Sequence, residues 1–309
     1  MEDLIKAPAL VPGDAVAIAA PAGCLREEGR GFLERAVSSL RAMGFRVKAS
    51  PPPFRRNRYL AGEDVERADE LMAYFSDPDI RAVFCARGGY GSQRVIPLLD
   101  PGVIRSNPKI LVGSSDITAL LVYLLEECGL IPFHGPNVAT RQFFDGDAKR
   151  TRASLKETLR LGLPSETPVC RVLKPGTGQG RIKGGCLSIL VSTIGTAYEP
   201  DLRGSILFVE DVNEPPYRID RMLTHMRQAG KLDQIEGLVL GEMVGCNDKE
   251  GTNLESVVLE LFRHQDIPIL SGFPSGHGAM NLTIPLGVRV FLDGGRGRLI
   301  FKESGLSIR

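Results

Sequence analysis

The sequence predicts an α/β protein: an N-terminal domain with a doubly wound, mostly parallel sheet, followed by a smaller C-terminal α/β domain with a mixed sheet. In the first half, short apolar runs alternate with amphipathic segments of helical spacing, the pattern of parallel strands joined by crossover helices. A polar stretch over 145–168 interrupts this pattern. The length of 309 residues also suffices for two domains, because single cores stop growing near roughly 250–300 residues.

The first predicted strand is the apolar run Ala15–Ala20, which ends in a loop at Pro21-Ala22-Gly23. The first helix is Glu27–Met43, where apolar residues recur at helical spacing until Gly44 stops the pattern. The same two patterns predict the later elements of this half: strands at Phe45–Ala49, Ile80–Ala86, Ile110–Val112 and Ile131–His134, and helices at Glu63–Phe75, near Ser92–Leu99, and from the turn at Ser115 to Glu127.

The second half contains shorter strands and three helical stretches. The strands are predicted at Val169–Leu173, Ile206–Val209, Gly237–Leu240, Val288–Leu292 and Arg298–Phe301, and the helices near Leu187–Ile194, Ile219–Gln228 and Leu254–Phe262. We therefore place an N-terminal domain at 1–145, a linker region at 146–168 and a C-terminal domain at 169–309.

Composition argues against several kinds of partner and cofactor. Lys plus Arg (38) nearly balance Asp plus Glu (37), so no electrostatic field favours nucleic acid or an anionic membrane. The apolar runs are too short for a bilayer, and the N-terminal segment lacks the basic-then-apolar order of a signal peptide. The six cysteines form no C-x-x-C pair, which predicts reduced thiols and no metal site. We expect a cytoplasmic protein without cofactor.

The most informative stretch is Lys109–Leu121, KILVGSSDITALL. An apolar strand ends in Gly113 and the following serines, then passes directly into a helical pattern. This arrangement lifts a serine hydroxyl out of the backbone and aims free helix N–H groups at the atom that the oxygen attacks. A second interpretation is a helix cap, in which Ser115 or Asp116 bonds the first amides of the helix.

Two further loops favour the interpretation of Ser115 as a nucleophile. Pro21-Ala22-Gly23 and the Gly88-Gly89 loop also follow predicted strands of the first sheet. In such sheets the ligand crevice lies at the carboxyl ends of the strands. Three special loops are therefore expected at one edge of the sheet.

A serine nucleophile needs a base, and the chain has four histidines. His225 stands in the helical pattern RMLTHMRQAG and His264 in LFRHQD, and both are predicted to be surface or core-rim residues. His134 ends a strand at the same edge as Ser115. His277 lies in a loop rich in glycine and proline, FPSGHGAMNLTIPLG, and such loops concentrate catalytic groups. His134 and His277 both remain candidates.

The acid that would orient the base has three candidates. Glu210 closes the apolar strand ILFVE, Asp211 follows it, and Glu214 lies just beyond. An acid at the end of an apolar strand is costly to bury without a partner, which draws attention to Glu210. A salt bridge from Glu210 to Arg218 or Arg221 is the structural alternative, and the pattern alone does not decide.

Seven motifs occur in order along nearly the whole chain: AAPAG (Ala19–Gly23), ARGGYGSQR (Ala86–Arg94), VGSSDITALL (Val112–Leu121), FHGPN (Phe133–Asn137), GGCLSIL (Gly184–Leu190), LFVEDVNEPPYRIDRML (Leu207–Leu223) and GFPSGHGAMNLTIPLG (Gly272–Gly287). With them the chain resembles the LD-carboxypeptidases, a serine-peptidase family that includes the muramoyl-tetrapeptide carboxypeptidases and the microcin C7 self-immunity proteins. On the matching positions the resemblance implies Ser115 as nucleophile, Glu210 as acid and His277 as general base. Ser114 departs from the family, whose members often have Tyr or Phe there.

With these three roles assigned, the loops at the same edge of the sheet predict how a substrate would be held. Backbone N–H groups of Gly89 and Asp116 would form the oxyanion hole, and Gly88 would let the main chain approach the substrate. A carboxypeptidase must recognise a free carboxylate, for which we assign Arg87; a salt bridge from Arg87 to Asp116 is the alternative. Family members are commonly dimers, so we expect a homodimer.

Three functions are compared. The first is a carboxypeptidase that releases terminal D-alanine from cytoplasmic muropeptide tetrapeptides during murein recycling. The second is an immunity-type peptidase that cleaves a nucleotide-peptide conjugate; the absence of Trp weighs against it, because base stacking on aromatic side chains is worth roughly 1–3 kcal/mol per base. The third is a catalytically silent peptide-binding protein, against which the intact set of Ser115, Glu210 and His277 argues.

Overall fold

The computed structural model describes residues 4–51, 55–247 and 251–308. The outermost ends of the two predicted domains, 1–3 and 309, lie outside this range. Within it the chain forms two sheets, one of six strands and one of seven, with helices packed against both. The α/β class and the two-sheet architecture that the sequence predicts are confirmed.

The first half of the chain builds most of the first sheet. Its elements are, in order, β1 (Ala15–Ala19), α1 (Glu27–Ala42), β2 (Arg46–Ala49), α2 (Asp64–Ser76), β3 (Ile80–Cys85), α3 (Ser92–Val95), α4 (Pro101–Ser106), β4 (Ile110–Gly113), α5 (Thr118–Glu126) and β5 (Phe133–His134). Short 3₁₀ turns lie at Ile96–Leu98, Ser115–Ile117 and Arg141–Phe143.

The second half builds the second sheet. Its elements are α6 (Ala148–Leu161), β6 (Arg171–Lys174), β7 (Thr177–Cys186), α7 (Leu187–Thr193), β8 (Ser205–Val212), α8 (Pro216–Gln228), β9 (Gly237–Val244), α9 (Leu254–Leu261), β10 (Ile269–Gly276), β11 (Ile284–Pro285), β12 (Arg289–Asp293) and β13 (Arg298–Phe301).

The first sheet has the strand order β11-β5-β4-β3-β1-β2. The five strands from the first half are parallel to their neighbours, as the alternation of strands and helices predicts. The sixth, β11, comes from the second half and pairs antiparallel with β5, Ile284 opposite His134. A two-residue strand is too short to produce a pattern in the sequence, so this crossing of the chain was not predicted.

The second sheet has the order β13-β12-β7-β8-β9-β10-β6. Its centre, β7 to β10, is parallel, and both edges are antiparallel, so it is mixed as predicted. The sequence does not reveal β7 and β10, because their residues, TGQGRIKGGC and ILSGFPSG, are rich in glycine, which is depleted in strands.

The polar stretch that we interpret as a linker contains a regular helix, α6. Its charged residues face outward, and its buried face carries hydroxyl as well as aliphatic side chains, among them Thr151, Ser154, Leu155, Thr158 and Leu159. Because threonine and serine count as polar in the sequence pattern, the amphipathic character of this helix was not apparent. The domain boundaries at 145 and 168 stay a prediction.

Hydrogen bonds between loops join the carboxyl ends of the first sheet. The N–H of Gly23, after β1, donates to the carbonyl of Gly88, after β3 (3.0 Å), and the N–H of Gly135, after β5, donates to the carbonyl of Gly113 in β4 (3.1 Å). β4 itself is wholly buried. The loops at this edge are therefore held together by the backbone.

Replacing Gly113 by Ala tests how tightly the turn after β4 is packed. A Cβ at Gly113 would lie 2.6 Å from Cγ2 of the fully buried Ile117, and overpacking of this kind costs about 1–3 kcal/mol. We expect the free energy of unfolding in urea to fall by that amount. Gly31→Ala is the matched control, because a Cβ on that exposed helical glycine meets no atom within 4 Å; equal stability of the two variants would contradict this description.

Candidate active site

Ser115 occupies a sharp turn between β4 and α5. Its φ is +63°, in the left-handed region that side-chain-bearing residues rarely adopt and that often marks functional sites. The side chain is half-buried at the start of the 3₁₀ turn. This is the strand–turn–helix geometry that the sequence predicts for a nucleophile elbow.

The structure does not show the helix cap that was the alternative interpretation. No side chain caps the 3₁₀ turn, and the buried carboxylate of Asp116 accepts a hydrogen bond from the N–H of Ser92 (2.8 Å) in a different helix. The neighbouring Ser114 is buried, and its backbone and hydroxyl bond to the side-chain amide of Asn137. Within the part of the chain that the structure describes, Ser115 is therefore the serine of this pair whose hydroxyl has no such structural bond.

The glycine loop after β3 lies directly on the nucleophile candidate. A Cβ at Gly88 would lie 2.7 Å from Cβ of Ser115, 3.0 Å from its Oγ and 3.2 Å from the backbone nitrogen of Asp116. Only glycine therefore fits there. Gly89 follows with a φ of +101° and packs on Gly23. The structure thus brings the three predicted loops together at one edge of the sheet.

Arg87 begins this loop. Its Nη1 donates to the carbonyl of Cys24 (2.8 Å), and a Cβ on Gly23 or on Gly89 would lie 3.6 Å from its guanidinium. Burial and the neighbouring charge of Arg26 lower the pKa of Arg87. Among the residues that the structure describes, no carboxylate pairs with it, so the salt bridge to Asp116 that we weighed as an alternative is absent.

A hydrogen bond joins Glu210 and His277 of the second sheet. Nδ1 of His277 lies 2.6 Å from Oε2 of Glu210. Glu210 is fully buried near the end of β8, and His277 is half-buried directly after β10. Glu210 thus has a histidine as its partner, and the expected alternative of a salt bridge to Arg218 or Arg221 is not observed in the described chain.

Each member of this pair changes the pKa of the other. Burial lowers the pKa of His277, but the hydrogen bond and charge of Glu210 outweigh burial, and the net shift is upward. Burial raises the pKa of Glu210, and the hydrogen bond to His277 opposes that rise. Asp211 and Glu242 add further negative charge near the pair. A histidine held in this way is stabilised when it carries a proton.

The other candidate acids have different partners. Asp211 accepts a hydrogen bond from the N–H of Ser188 (2.8 Å), and Glu214 forms an ion pair with Arg218 (2.8 Å). Neither contacts a histidine within the described part of the chain. The geometry therefore distinguishes Glu210 from the two acids that the sequence pattern left open.

The other histidines lack an acidic partner among the described residues. His134 is fully buried, its ring packs edge-on against Phe208 (5.1 Å between centroids), and neither ring nitrogen has a hydrogen-bond partner in the part of the chain described. Burial, with a smaller effect of His277, lowers its pKa to about 3. His225, in α8, and His264, in the turn after α9, are exposed, as predicted for surface residues.

The two halves of the site meet through α5. Oγ1 of Thr118, the first residue of α5, accepts a hydrogen bond from the N–H of Cys186 (3.1 Å), and a Cβ at Gly185 would collide with Thr118. Cys186 pairs in register with Glu210. The turn that carries Ser115 and the strand that carries Glu210 are therefore separated by one strand of the second sheet.

Three polar residues beside the pair were not singled out from the sequence. Glu242 of β9 packs against Gly278, and Gln142 and Asn281 bond to the backbone around His277. Asn281 lies inside the quoted motif GFPSGHGAMNLTIPLG, which could have drawn attention to it. Gln142 follows a loop of ordinary composition, so no signal in one sequence marks it.

Two negative findings concern the described residues only. No set of three or more His, Cys, Asp and Glu side chains there is grouped as metal ligands would be. Of the helices described, none combines the length and apolarity needed to cross a bilayer.

Comparison with known proteins shows the family. Residues 16–135 match the model of the LD-carboxypeptidase N-terminal domain, and residues 179–292 match that of the C-terminal domain. The murein tetrapeptide carboxypeptidase of Pseudomonas aeruginosa is 34% identical over 298 residues, covering 92% of this chain and 94% of its own.

Solved structures of LD-carboxypeptidase relatives share the fold of this chain. The muramoyltetrapeptide carboxypeptidase of Oxalobacter formigenes superposes with a TM-score of 0.85 at 31% identity, over 94% of this chain and 99% of its own. The microcin C7 self-immunity protein MccF in complex with aspartyl sulfamoyl adenosine gives a TM-score of 0.89 at 26% identity, over 98% of this chain and 100% of its own. The elbow at Ser115, the buried acid–histidine pair and these matches agree on one conclusion: this chain belongs to the LD-carboxypeptidase family of serine peptidases.

Proposed function

We propose that this protein is a serine carboxypeptidase that releases the terminal D-alanine from muropeptide tetrapeptides by cleaving the LD-peptide bond. The observation that carries the proposal is the 2.6 Å hydrogen bond between the buried Glu210 and His277, one strand away from the turn at Ser115. The printed names of the Pseudomonas and Oxalobacter relatives, both tetrapeptide carboxypeptidases, support this substrate.

The three side chains would act as a catalytic triad. The free Nε2 of His277 takes the proton of Ser115 as Oγ attacks the peptide carbonyl, and returns it to the leaving amine of D-alanine. A second cycle, with water in place of the serine, releases the shortened peptide. Glu210 bonds Nδ1, which keeps Nε2 as the acceptor and stabilises the imidazolium that forms.

Backbone N–H groups would stabilise the oxyanion. Asp116 lies at the start of the 3₁₀ turn, where N–H groups lack intrahelical partners, and the contact of Gly88 with Ser115 brings the glycine loop beside it. We assign the N–H groups of Gly89 and Asp116 to the oxyanion hole, where one donor is typically worth roughly 3–4 kcal/mol of barrier. Gly88 leaves the space that the reacting carbonyl needs.

Arg87 would bind the free carboxylate of the terminal D-alanine. Arg87 is half-buried and has no anionic partner in the described chain, so its guanidinium has lost hydration. A substrate carboxylate would compensate for that loss with charge-assisted hydrogen bonds. Its position beside Gly89 supports this role. A carboxypeptidase must recognise a free chain end, and Arg87 offers a cation beside the loop that we assign to the oxyanion hole.

We propose that the enzyme acts in the cytoplasm, in murein recycling, as a homodimer. The free, buried state of all six cysteines supports a reducing compartment. The family resemblance supports the dimer, which sedimentation velocity would test.

A second candidate is cleavage of a nucleotide-peptide conjugate, as the MccF complexes suggest. One observation favours it: Tyr59 and Tyr90 form an exposed edge-to-face pair next to the glycine loop, 5.7 Å between centroids, which could stack a base despite the absence of Trp.

Incubation with muropeptide tetrapeptides and with an aminoacyl sulfamoyl adenosine, followed by mass spectrometry, distinguishes the two candidate functions. Loss of D-alanine from the tetrapeptide is expected; cleavage of the conjugate alone would overturn the proposal.

Ser115→Ala should abolish release of D-alanine while the protein stays folded. Loss of a triad nucleophile lowers kcat by up to ~10⁶-fold, and we expect a fall of at least ~10³-fold, measured by chromatography of the released amino acid. Ser114→Ala is the matched control, expected to retain most activity because its hydroxyl has a structural role. If Ser114→Ala is inactive and Ser115→Ala is active, the nucleophile is wrongly assigned.

Glu210→Gln should lower kcat and move the acid limb of the pH profile. His277 must be neutral to act as base, and Glu210 holds its pKa above the ordinary 6.5, so wild-type kcat/KM should fall as the pH drops through a midpoint above 6.5. Removing the negative charge lowers this midpoint, and kcat falls by ~10²- to 10⁴-fold. Glu260→Gln, at an exposed site in α9, should leave the profile unchanged; coincident profiles for wild type and Glu210→Gln would contradict the triad.

Arg87→Met should weaken binding of substrates with a free carboxylate. Loss of a charge-assisted hydrogen bond costs about 1.5–3 kcal/mol, so KM should rise by ~10- to 100-fold for the natural tetrapeptide. A tetrapeptide ending in a carboxamide already lacks the carboxylate, so wild type and variant should process it with similar kcat/KM. An equal loss on both substrates would show that Arg87 acts in some other way.

A further inference from the structure

The loop that carries His277 is held by a side chain from the other half of the chain. Gln142 lies in the 3₁₀ turn Arg141–Phe143, after the last parallel strand of the first sheet. Its Nε2 donates to the carbonyl of Gly276 (2.6 Å) and to that of Gly278 (2.7 Å). These are the carbonyls of the residues on either side of His277.

The amide of Gln142 is matched to this position. Its two N–H bonds reach the two carbonyls, and its Oε1 accepts from Nδ2 of Asn281 (3.5 Å). Oδ1 of Asn281 in turn accepts from the N–H of Gly276 and the hydroxyl of Ser275, both at 3.2 Å. These bonds join Gln142 to the loop and join Asn281 to the start of the same loop, so the segment around His277 is held at both of its ends.

The loop needs such support because of its composition. His277 stands between two glycines, which lose more conformational freedom on ordering than other residues. Gly276 has a φ of +132°, and a Cβ there would lie 2.6 Å from Oε2 of Glu210. A rotation of this backbone therefore moves the imidazole and also disturbs its contact with the acid.

We propose that Gln142 is a positioning residue: its two N–H donors hold the carbonyl groups of the residues on either side of His277 and so set the direction of the imidazole. This inference rests on the proposed function, in which His277 is the general base. Gln142 does not touch the reacting atoms and acts only through His277. Displacing a base by about 1 Å can cost ~10²-fold in rate.

Two variants test the donors. Gln142→Leu has a similar volume without hydrogen-bond donors, and Gln142→Glu keeps the shape but turns a second oxygen toward two carbonyls. We expect kcat to fall by ~10- to 100-fold in both, with KM within about twofold of wild type. Gln93→Leu is the matched control, because Nε2 of Gln93 also donates two bonds between the halves, to the carbonyl and hydroxyl of Ser192 (3.1 and 3.0 Å), away from His277; it should keep wild-type kcat.

An NMR titration of the histidine rings separates positioning from general stability and from catalysis. If Gln142 holds His277 against Glu210, Gln142→Leu should lower the pKa of His277. The control Gln93→Leu should leave that pKa unchanged. Urea unfolding shows whether both variants stay folded. An unchanged pKa of His277 in folded Gln142→Leu overturns the inference, whatever the activity. His277→Ala is assayed in parallel: full activity there would overturn the proposed function, and the NMR result would still decide whether Gln142 positions the ring.

Discussion

The short hydrogen bond between Glu210 and His277 is the interaction on which the rest of the site depends. A carboxylate that is fully buried in the middle of a sheet is expensive unless it is paired, and removing one partner of a buried pair typically costs about 3–5 kcal/mol. Here one oxygen bonds the imidazole and the other has no hydrogen-bond partner in the described chain. The histidine is thus the group that makes burial of the acid tolerable, and the acid in turn keeps the histidine basic.

The surroundings of this pair are shaped to leave it room. Glycines of β9 and β10 face Glu210: a Cβ at Gly241 would lie 3.1 Å from Cβ of Glu210, and one at Gly276 would strike the carboxylate. On the opposite side of the site, Gly88 has the same relation to Ser115. Side chains that would be unremarkable elsewhere are excluded at these positions, since the backbone itself packs against Glu210 and Ser115.

Much of this could be predicted from the sequence, and what could not has physical causes. The parallel strands of the first sheet are apolar and repetitive, and the turn at Ser115 has its own local signature, so both were predicted. Local sequence pattern cannot select Glu210 and His277, because the two hydrogen-bonded residues are 67 positions apart in the sequence. Their selection rests on the seven motifs that resemble those of the LD-carboxypeptidases. The sequence does not predict four elements of the structure. Glycines hide the strand pattern of β7 and β10, β11 has only two residues, and the buried hydroxyl groups of α6 hide its apolar face.

The short strand β11 gives the loop of His277 an unusual attachment. This loop leaves the second sheet at the end of β10 and enters the first sheet only eight positions later, where Ile284 pairs with His134. The segment 277–283 is therefore anchored in the second sheet at one end and in the first sheet at the other. A shift of either sheet relative to the other would be transmitted to the backbone that carries the imidazole.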